Sequence, residues 1–414
     1  MKRCIAWVLT CSLFVSLIPH ANAYFPWLAI SDDGRALYFF GKTPAERTCK
    51  LPPSITKSEI QTVVEREKSS RLELTAVEND EFLGMASSAP VDRHYLTMTF
   101  LDPRSDSEIT VTDNKFPPIP QTVTSFGAAI AGDSLYLYGG HSGRAHEYYA
   151  EAQGKTLWRL DLSRPEAWES LGDGPGLQGL AMVAHDGKLY RIGGFTAKNS
   201  DGEKEDLWSQ AGVASFDPAT DEWKELPPLP EPRSSFDAAV LGDKIYVVGG
   251  WTMRGDTDAQ WLQTAHVLDL GQEPLAWDSL PPAPFERRAL SVAAHDGKIY
   301  VLGGMQRVGG PTTRVDIFDP ETRAWSRGPG LQGGAMDGFG SSAFAVGNQL
   351  FVTTYSGSIQ RLDEDADSWQ VLGQLDRQRF FHRLLPLSDN ELIAVGGASM
   401  SDGKFETLEV IRVR

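Results

Sequence analysis

One hairpin, repeated along the chain, predicts an all-β fold: a β-propeller of four-stranded blades. The stretch AVLGDKIYVVGG (239–250) shows the unit most plainly. A β-prone run ends at a Gly-Asp turn, and a second run, Lys244 to Val248, ends in two glycines, which is hairpin chemistry. The unit recurs as AIAGDSLYLYGG (129–140), VAHDGKLYRIGG (183–194) and AAHDGKIYVLGG (293–304), and in weaker form as AVGNQLFVTT (345–354) and LSDNELIAVGG (387–397). The closing positions 139, 193, 249, 303, 353 and 396 lie 54, 56, 54, 50 and 43 residues apart, a period that marks an array of like units.

Ahead of the repeats, Lys2 and Arg3, the apolar run Ile5 to Ile18 and the small-x-small site Ala21-Asn22-Ala23 read as a secretory signal peptide over 1–23. The apolar run is short for a bilayer span. The mature chain from Tyr24 is expected to be exported, periplasmic or extracellular, without membrane insertion. The formal net charge of the 414 residues is −16, and loss of the leader's two cations makes it −18. Such a charge argues against nucleic acid as a partner. Cys4 and Cys11 belong to the leader, so Cys49 stands alone, and neither an intramolecular disulfide nor a cysteine zinc site is expected. The mature residues, 24–414, are read as one domain. They exceed one ordinary core, and a propeller resolves that by using a ring of sheet-to-sheet interfaces.

In chain order, 24–70 holds a closing strand and a helix. Arg47 to Leu51, followed by Pro52-Pro53, matches the ends of later units, WKELPP (223–228) and WDSLPP (277–282), and reads as an outer strand without a nearby partner. A short helix is expected over about Lys57 to Lys68. Thr56 and Glu59 make a capping box, Ile55 and Ile60 a hydrophobic staple, and Ile60, Val63 and Val64 one apolar stripe. Residues 71–113 read as a degenerate first blade, with a hairpin around Asn79-Asp80 and further strands at Tyr95 to Leu101 and Glu108 to Thr112. From 122 to 414 the pattern is regular. Each double glycine is followed by a loop, a strand ending in acid, and a Trp strand at Trp168, Trp223, Trp277, Trp325 or Trp369; a Tyr precedes the glycines at 136, 190, 246 and 300. The chain stops after Thr407 to Val413, one strand short. Pairing of that last unit with Arg47 to Leu51 would close the ring and remove an open edge.

The double Gly, the Tyr before it, the later Trp and the acid-Pro between them resemble kelch repeats. The resemblance is specific from 122 to 414 and implies a propeller of six or seven blades. Counting outer strands gives seven, with six as the alternative. The glycines answer a steric need, because a strand end that turns sharply near the central channel leaves no room for a Cβ.

The loops after the double glycines and the segments leading into each first strand share one rim, where propeller function resides. The ligand-binding candidates there are His141, Arg144, Gln178, Arg233, Trp251, Arg254, Trp261, Arg287, Arg288 and Arg379. Guanidinium forks in so acidic a chain suit a carboxylate or sulfate, or else pair with local acids such as Glu231, Glu286 and Asp337. Arg233, Arg287 and Asp337 occupy equivalent positions, each 16 residues before a closing position. Trp251 and Trp261 can stack on sugar rings or peptide side chains. His141 with His146 is too few ligands to define a metal site, and neither a metal nor a cofactor is expected. Two readings follow. The first is an exported, non-catalytic binding module that holds a protein or glycan, with an acidic group, on its loop rim. The second is a sugar-modifying enzyme, since the chain is similar in compartment, fold and rim arginines to periplasmic sialic-acid mutarotases of the kelch type; His382 or Asp337 would then supply acid–base chemistry, with Arg233 and Arg287 as a carboxylate clamp.

Overall fold

The computed structural model of the chain describes residues 25–30, 35–41, 59–63, 69–72, 74–78, 83–90, 96–99, 109–112 and 116–413. The expected leader, Cys49 and the expected closing strand Arg47 to Leu51 lie outside them. The chain divides into two compact units, Met1–Asp106 and Ser107–Arg414, where the sequence reading has one domain.

The first unit holds two antiparallel sheets. One runs Phe25–Ile30, Arg35–Gly41, Leu83–Pro90, Leu74–Glu78; the other runs Ser69–Leu72, Glu59–Val63, Leu96–Thr99. The expected hairpin around Asn79-Asp80 is present as the pair Leu74–Glu78 and Leu83–Pro90. The expected helix is not: its centre is the strand Glu59–Val63, paired on both sides. A helix that short is marginal by itself, and the β-branched Ile60, Thr62 and Val63 favour the extended backbone that two neighbours satisfy.

The second unit contains seven four-stranded antiparallel sheets among its described residues, and six of them follow one another as blades. We number them blades 1 to 6 by their inner strands: Gly127–Ala131, Ala181–His185, Asp237–Leu241, Ser291–His295, Ser342–Val346 and Arg383–Ser388. Each inner strand contacts the next, and that of blade 6 contacts that of blade 1. The expectation of seven blades is corrected here, and so is its closing strand. The outer strand of blade 6 is Ile109–Thr112, paired with Leu408–Val413. The described strands within 71–113 do not make up one blade, because they are shared among three different sheets.

Six buried clusters fill the six interfaces between neighbouring blades, including the junction of 6 with 1, where Leu385, Ile393 and Val395 meet Phe126, Leu135 and Leu137. The outer-strand Trp residues lock each blade to the connection before it. Trp168, Trp277, Trp325 and Trp369 donate their indole N–H to the carbonyls of Pro117, Pro227, Pro281 and Pro329 at 3.3, 2.9, 2.9 and 3.0 Å. Trp223 differs: Arg191 lies over it at 4.5 Å, and Tyr138, edge-on to it, donates to the Pro175 carbonyl.

At the rim end of the inner strands the backbone closes a circle. Gly179 N–H donates to Ser125 O, Ser235 to Gly179, Ala289 to Ser235, Gly340 to Ala289, Phe381 to Gly340 and Ser125 to Phe381, at 2.7, 2.8, 2.8, 3.0, 2.8 and 3.4 Å. All six residues have left-handed φ, between 51° and 63°. The closing link is the longest, as befits the one junction that sequence neighbours do not make.

The double glycines meet the predicted steric need. Gly303 has φ of 61°, and a Cβ there would lie 2.3 Å from the Gly338 carbonyl oxygen. Gly303→Ala is therefore expected to cost about 2–4 kcal/mol, from left-handed strain plus overpacking. Gly297→Ala, at φ of 69° in the hairpin turn with open space around it, should cost only the conformational part, about 1–2 kcal/mol. Urea unfolding of both variants checks this, and equal losses would show that crowding contributes nothing.

Candidate functional site

Three of the predicted rim arginines are internal braces. Arg233, Arg287 and Arg379 are each 0% exposed. In each, one terminal nitrogen donates to the carbonyl of the first glycine of its blade's pair: Gly249 at 2.9 Å, Gly303 at 2.8 Å and Gly396 at 3.0 Å. The same nitrogen reaches a carbonyl at the start of the third strand, from Thr264, Arg314 or Thr407. The other terminal nitrogen meets an acid: Glu231 at 2.6 Å, Asp316 at 2.6 Å, and Glu409. Of the pairings expected from sequence, Arg233 with Glu231 is present; Glu286 instead meets Arg307 at 3.3 Å. Burial pulls Arg233 down to about 10 and Arg287 to about 9, which leaves both charged at neutral pH. Glu231 is held at about 2, chiefly by its hydrogen bond to His266, with Thr264 and Arg233 adding to it. The expectation that these arginines bind an external acid is thus corrected. They hold the sharp turn that the double glycines make, and an incoming anion would have to displace a buried partner.

The two catalytic candidates are likewise engaged inside the fold. Asp337 accepts from Gly334 N–H, Thr354 Oγ1 and Ser356 N–H at 2.9, 3.0 and 3.0 Å. It thereby orders the turn where Thr353-Thr354 replaces the two glycines. His382 shares a 2.5 Å hydrogen bond with Thr353 Oγ1. Burial, reinforced by the charges of Arg379 and Arg383, pushes its pKa well below the usual histidine value.

Five other candidates do come together. Arg288 is half-buried, with its guanidinium carbon 4.2 Å over the Trp251 ring and 5.5 Å from Trp261. The two indoles meet edge to face at 5.6 Å. They sit on an added four-stranded sheet, Phe195–Ala197, Leu207–Ser209, Trp251–Arg254 and Thr257–Trp261, that joins the loops of blades 2 and 3. Tyr148 lies close enough that the Arg288 charge opposes the upward shift that burial gives its phenol. The Tyr148 ring is 5.2 Å from His141 and 6.1 Å from Phe195, which pairs with Gln178. His141 is buried, its Nε2 2.9 Å from the Arg144 carbonyl, and burial lowers its pKa.

Arg288 has no acid beside it among the described residues, and its Nε is buried without a hydrogen-bond partner. The same holds for Trp251 Nε1, Gln178 Oε1 and His141 Nδ1. Buried polar atoms are seldom left unpaired, but the Nε atoms of the braced Arg233, Arg287 and Arg379 are unpaired too; what sets Arg288 apart is that no acid among the described residues meets its guanidinium, whereas each brace has one. Arg144 and Arg254 stand apart from this group: Arg144 is exposed and pairs with Glu147 at 2.9 Å, and Arg254 is exposed at the tip of the added sheet. No group of three or more His, Cys, Asp or Glu that could hold a metal occurs among the described residues, and no helix among them is long and apolar enough to cross a membrane.

Sequence reasoning passed over Phe339, Tyr355, Phe380 and Phe381. They lie in the lead-in and loop positions of blades 5 and 6 that supplied the other candidates, and period counting alone could have drawn them in.

Three comparisons bear on this architecture. The family model for the KLHDC2/KLHL20/DRC7 Kelch-repeats domain matches residues 179–397, just over half of the chain. The chain belongs to the kelch-repeat family. Among curated kelch relatives, Kelch-like protein 35 of Mus musculus is 25% identical over 215 residues, 51% of this chain and 32% of that protein. Kelch-like protein terF of Aspergillus terreus is 30% identical over 183 residues, 43% of this chain and 38% of that protein. The kelch chain thus spans about a third of the length of these relatives. A solved structure described as "Structure of YjhT" superposes with a TM-score of 0.58 at 18% identity, covering 71% of this chain and 95% of that one, a likeness of fold.

Proposed function

We propose that this chain is an exported kelch-repeat binding module whose loop rim holds a protein or glycan through an acidic group on that ligand. The observation that carries the reading is Arg288, a half-buried guanidinium over the Trp251 ring with no acid beside it among the described residues. Stacking fixes the plane of the fork and leaves its donors to a carboxylate. Export rests on the leader over 1–23. The alternative, a sugar mutarotase, needs an acid–base pair at the ligand, and its two candidates, His382 and Asp337, are buried and bonded to Thr353 and Thr354, which favours binding without catalysis.

Thermal-shift titration of acidic and neutral sugars and peptides against wild type and Arg288→Ala tests the reading. An acidic ligand is expected to stabilise wild type, and the variant should bind it about ten- to a hundredfold more weakly, the value of a charged hydrogen bond. The ligand-free variant should melt close to wild type, because it gives up no ion pair. If only neutral ligands bind, or the variant binds acids normally, Arg288 is not the anchor.

A further inference from the structure

The residues just before the hydrogen-bonded circle divide the mouth in two. Blades 1 to 3 place Thr124, Gln178 and Ser234 there, all buried and polar, whereas blades 4 to 6 place Arg288, Phe339 and Phe380, all half-buried. Around the last two an aromatic cluster gathers. Tyr355 stacks on Phe380 at 5.2 Å and 14°, and Phe381 meets Phe339 edge-on at 5.0 Å. At its margin Met336 is 40% and Met400 79% exposed. Met336 is tied to the cluster by its carbonyl, which accepts the Phe339 N–H at 2.9 Å, and Met400 lies in the turn that follows Ala398, the strand partner of Phe380. Grouped apolar side chains at a surface mark an interaction site, and methionine adapts its shape to what it meets.

Phe381 supplies an independent sign. Its five counterparts in the circle are Ser, Gly, Ser, Ala and Gly, yet it holds the same left-handed backbone at φ of 53°. A bulky residue in that region is a conformational outlier, and such strain gathers at binding sites. The apolar group also adjoins Arg288. Gly340 N–H donates to Ala289 O at 3.0 Å, so the residues before them, Phe339 and Arg288, are neighbours around the mouth.

We propose that Arg288 and this aromatic cluster form one docking surface for an extended peptide segment of a partner protein, with a carboxylate side chain beside a large apolar or aromatic one. The inference rests on the reading of Arg288 given above and adds the apolar half. Charge complementarity calls for the acid. The spread of the surface from Trp251 on blade 3 to Met400 on blade 6 is broader than one sugar ring and suits a strand of peptide, whose side chains reach successive blades.

Fluorescence polarisation of the full chain with short labelled peptides bearing an Asp-Phe core, against matched Asn-Phe and Asp-Gly peptides, tests it. Each peptide change is expected to weaken binding about tenfold. Arg288→Ala should erase the preference for Asp, and Phe380→Ala the preference for Phe. Met400→Ser, at an exposed side chain, should weaken the Phe peptide without disturbing the core. Binding that needs Asp and Arg288 but ignores Phe, Phe380 and Met400 overturns this inference and leaves the anion reading standing. Peptide binding indifferent to both Asp and Arg288 overturns the two together. If no peptide binds while an acidic sugar does so through Arg288, the peptide inference is wrong and the anion reading holds.

Discussion

Arg379→Ala is expected to lower stability at neutral pH by about 3–5 kcal/mol, the cost of removing one partner from a buried ion pair. Arg379 is 0% and Glu409 2% exposed, and the guanidinium also holds the Gly396 carbonyl at 3.0 Å. Without it a buried carboxylate keeps only the Asp376 N–H, at 2.9 Å. The pH dependence carries the diagnosis. Burial already raises the Glu409 pKa, and Arg379 opposes that rise. Removing the arginine moves it further up, so between the unfolded and folded values the folded state binds the extra proton. The loss should then be greatest above the folded pKa and shrink as pH falls through it toward the ordinary carboxylate value. Adding Glu409→Gln to Arg379→Ala should return part of the loss. Chemical denaturation of wild type and both variants at neutral and mildly acidic pH measures this; a loss below about 1 kcal/mol, typical of surface pairs, or one that does not change with pH, would remove the brace as an explanation. Arg233 and Arg287 are built alike, so replacing them should destabilise the propeller instead of leaving a folded protein that merely fails to bind.

Arg383→Ala is expected to have a comparable effect by a different route. Arg383 stands on the inner strand of blade 6, and its three nitrogens donate to the Phe126 carbonyl of blade 1 at 3.1 Å, the Leu180 carbonyl of blade 2 at 3.1 Å and Asp237 of blade 3 at 2.8 Å. The second Asp237 oxygen accepts the Val292 N–H of blade 4 at 3.1 Å. One ion pair thus ties five of the six blades across the axis. Its side chains are 18% and 9% exposed, enough burial that severing it should cost about 3–5 kcal/mol. The exposed pair Arg412–Glu391, at 2.7 Å, is the control, where Arg412→Ala should cost under about 1 kcal/mol. Hydrogen exchange should quicken in the inner strands of Arg383→Ala, most of all at the junction of blades 6 and 1. If Arg383→Ala is no more costly than Arg412→Ala, the axial pair is incidental to ring closure.

The sequence by itself determined what depends on near neighbours along the chain. Gly-Asp and Asp-Gly turns, alternating β-branched runs and double glycines are local chemistry, and every hairpin predicted from 129 to 397 is present. The candidate rim was legible for the same reason, because its positions follow from the repeat. The helix over 57–68 failed because its capping signals are also local, while the pairing that overrides them comes from Ser69–Leu72 and from Leu96–Thr99, over thirty residues away. The number of blades, and the strand that completes the last one, were decided by partners at the opposite end of the chain: Ile109–Thr112 on Leu408–Val413, and Arg383 reaching back to Phe126. The division of labour among the arginines was decided in the same way. Arg287 and Arg288 are adjacent and chemically identical, yet successive residues of an extended strand point to opposite sides. One is buried on Asp316, 29 positions on, and the other lies on Trp251, 37 positions back. Turn and strand preference act over a few residues, whereas the pairing of a charge is set by whatever the closed ring brings beside it.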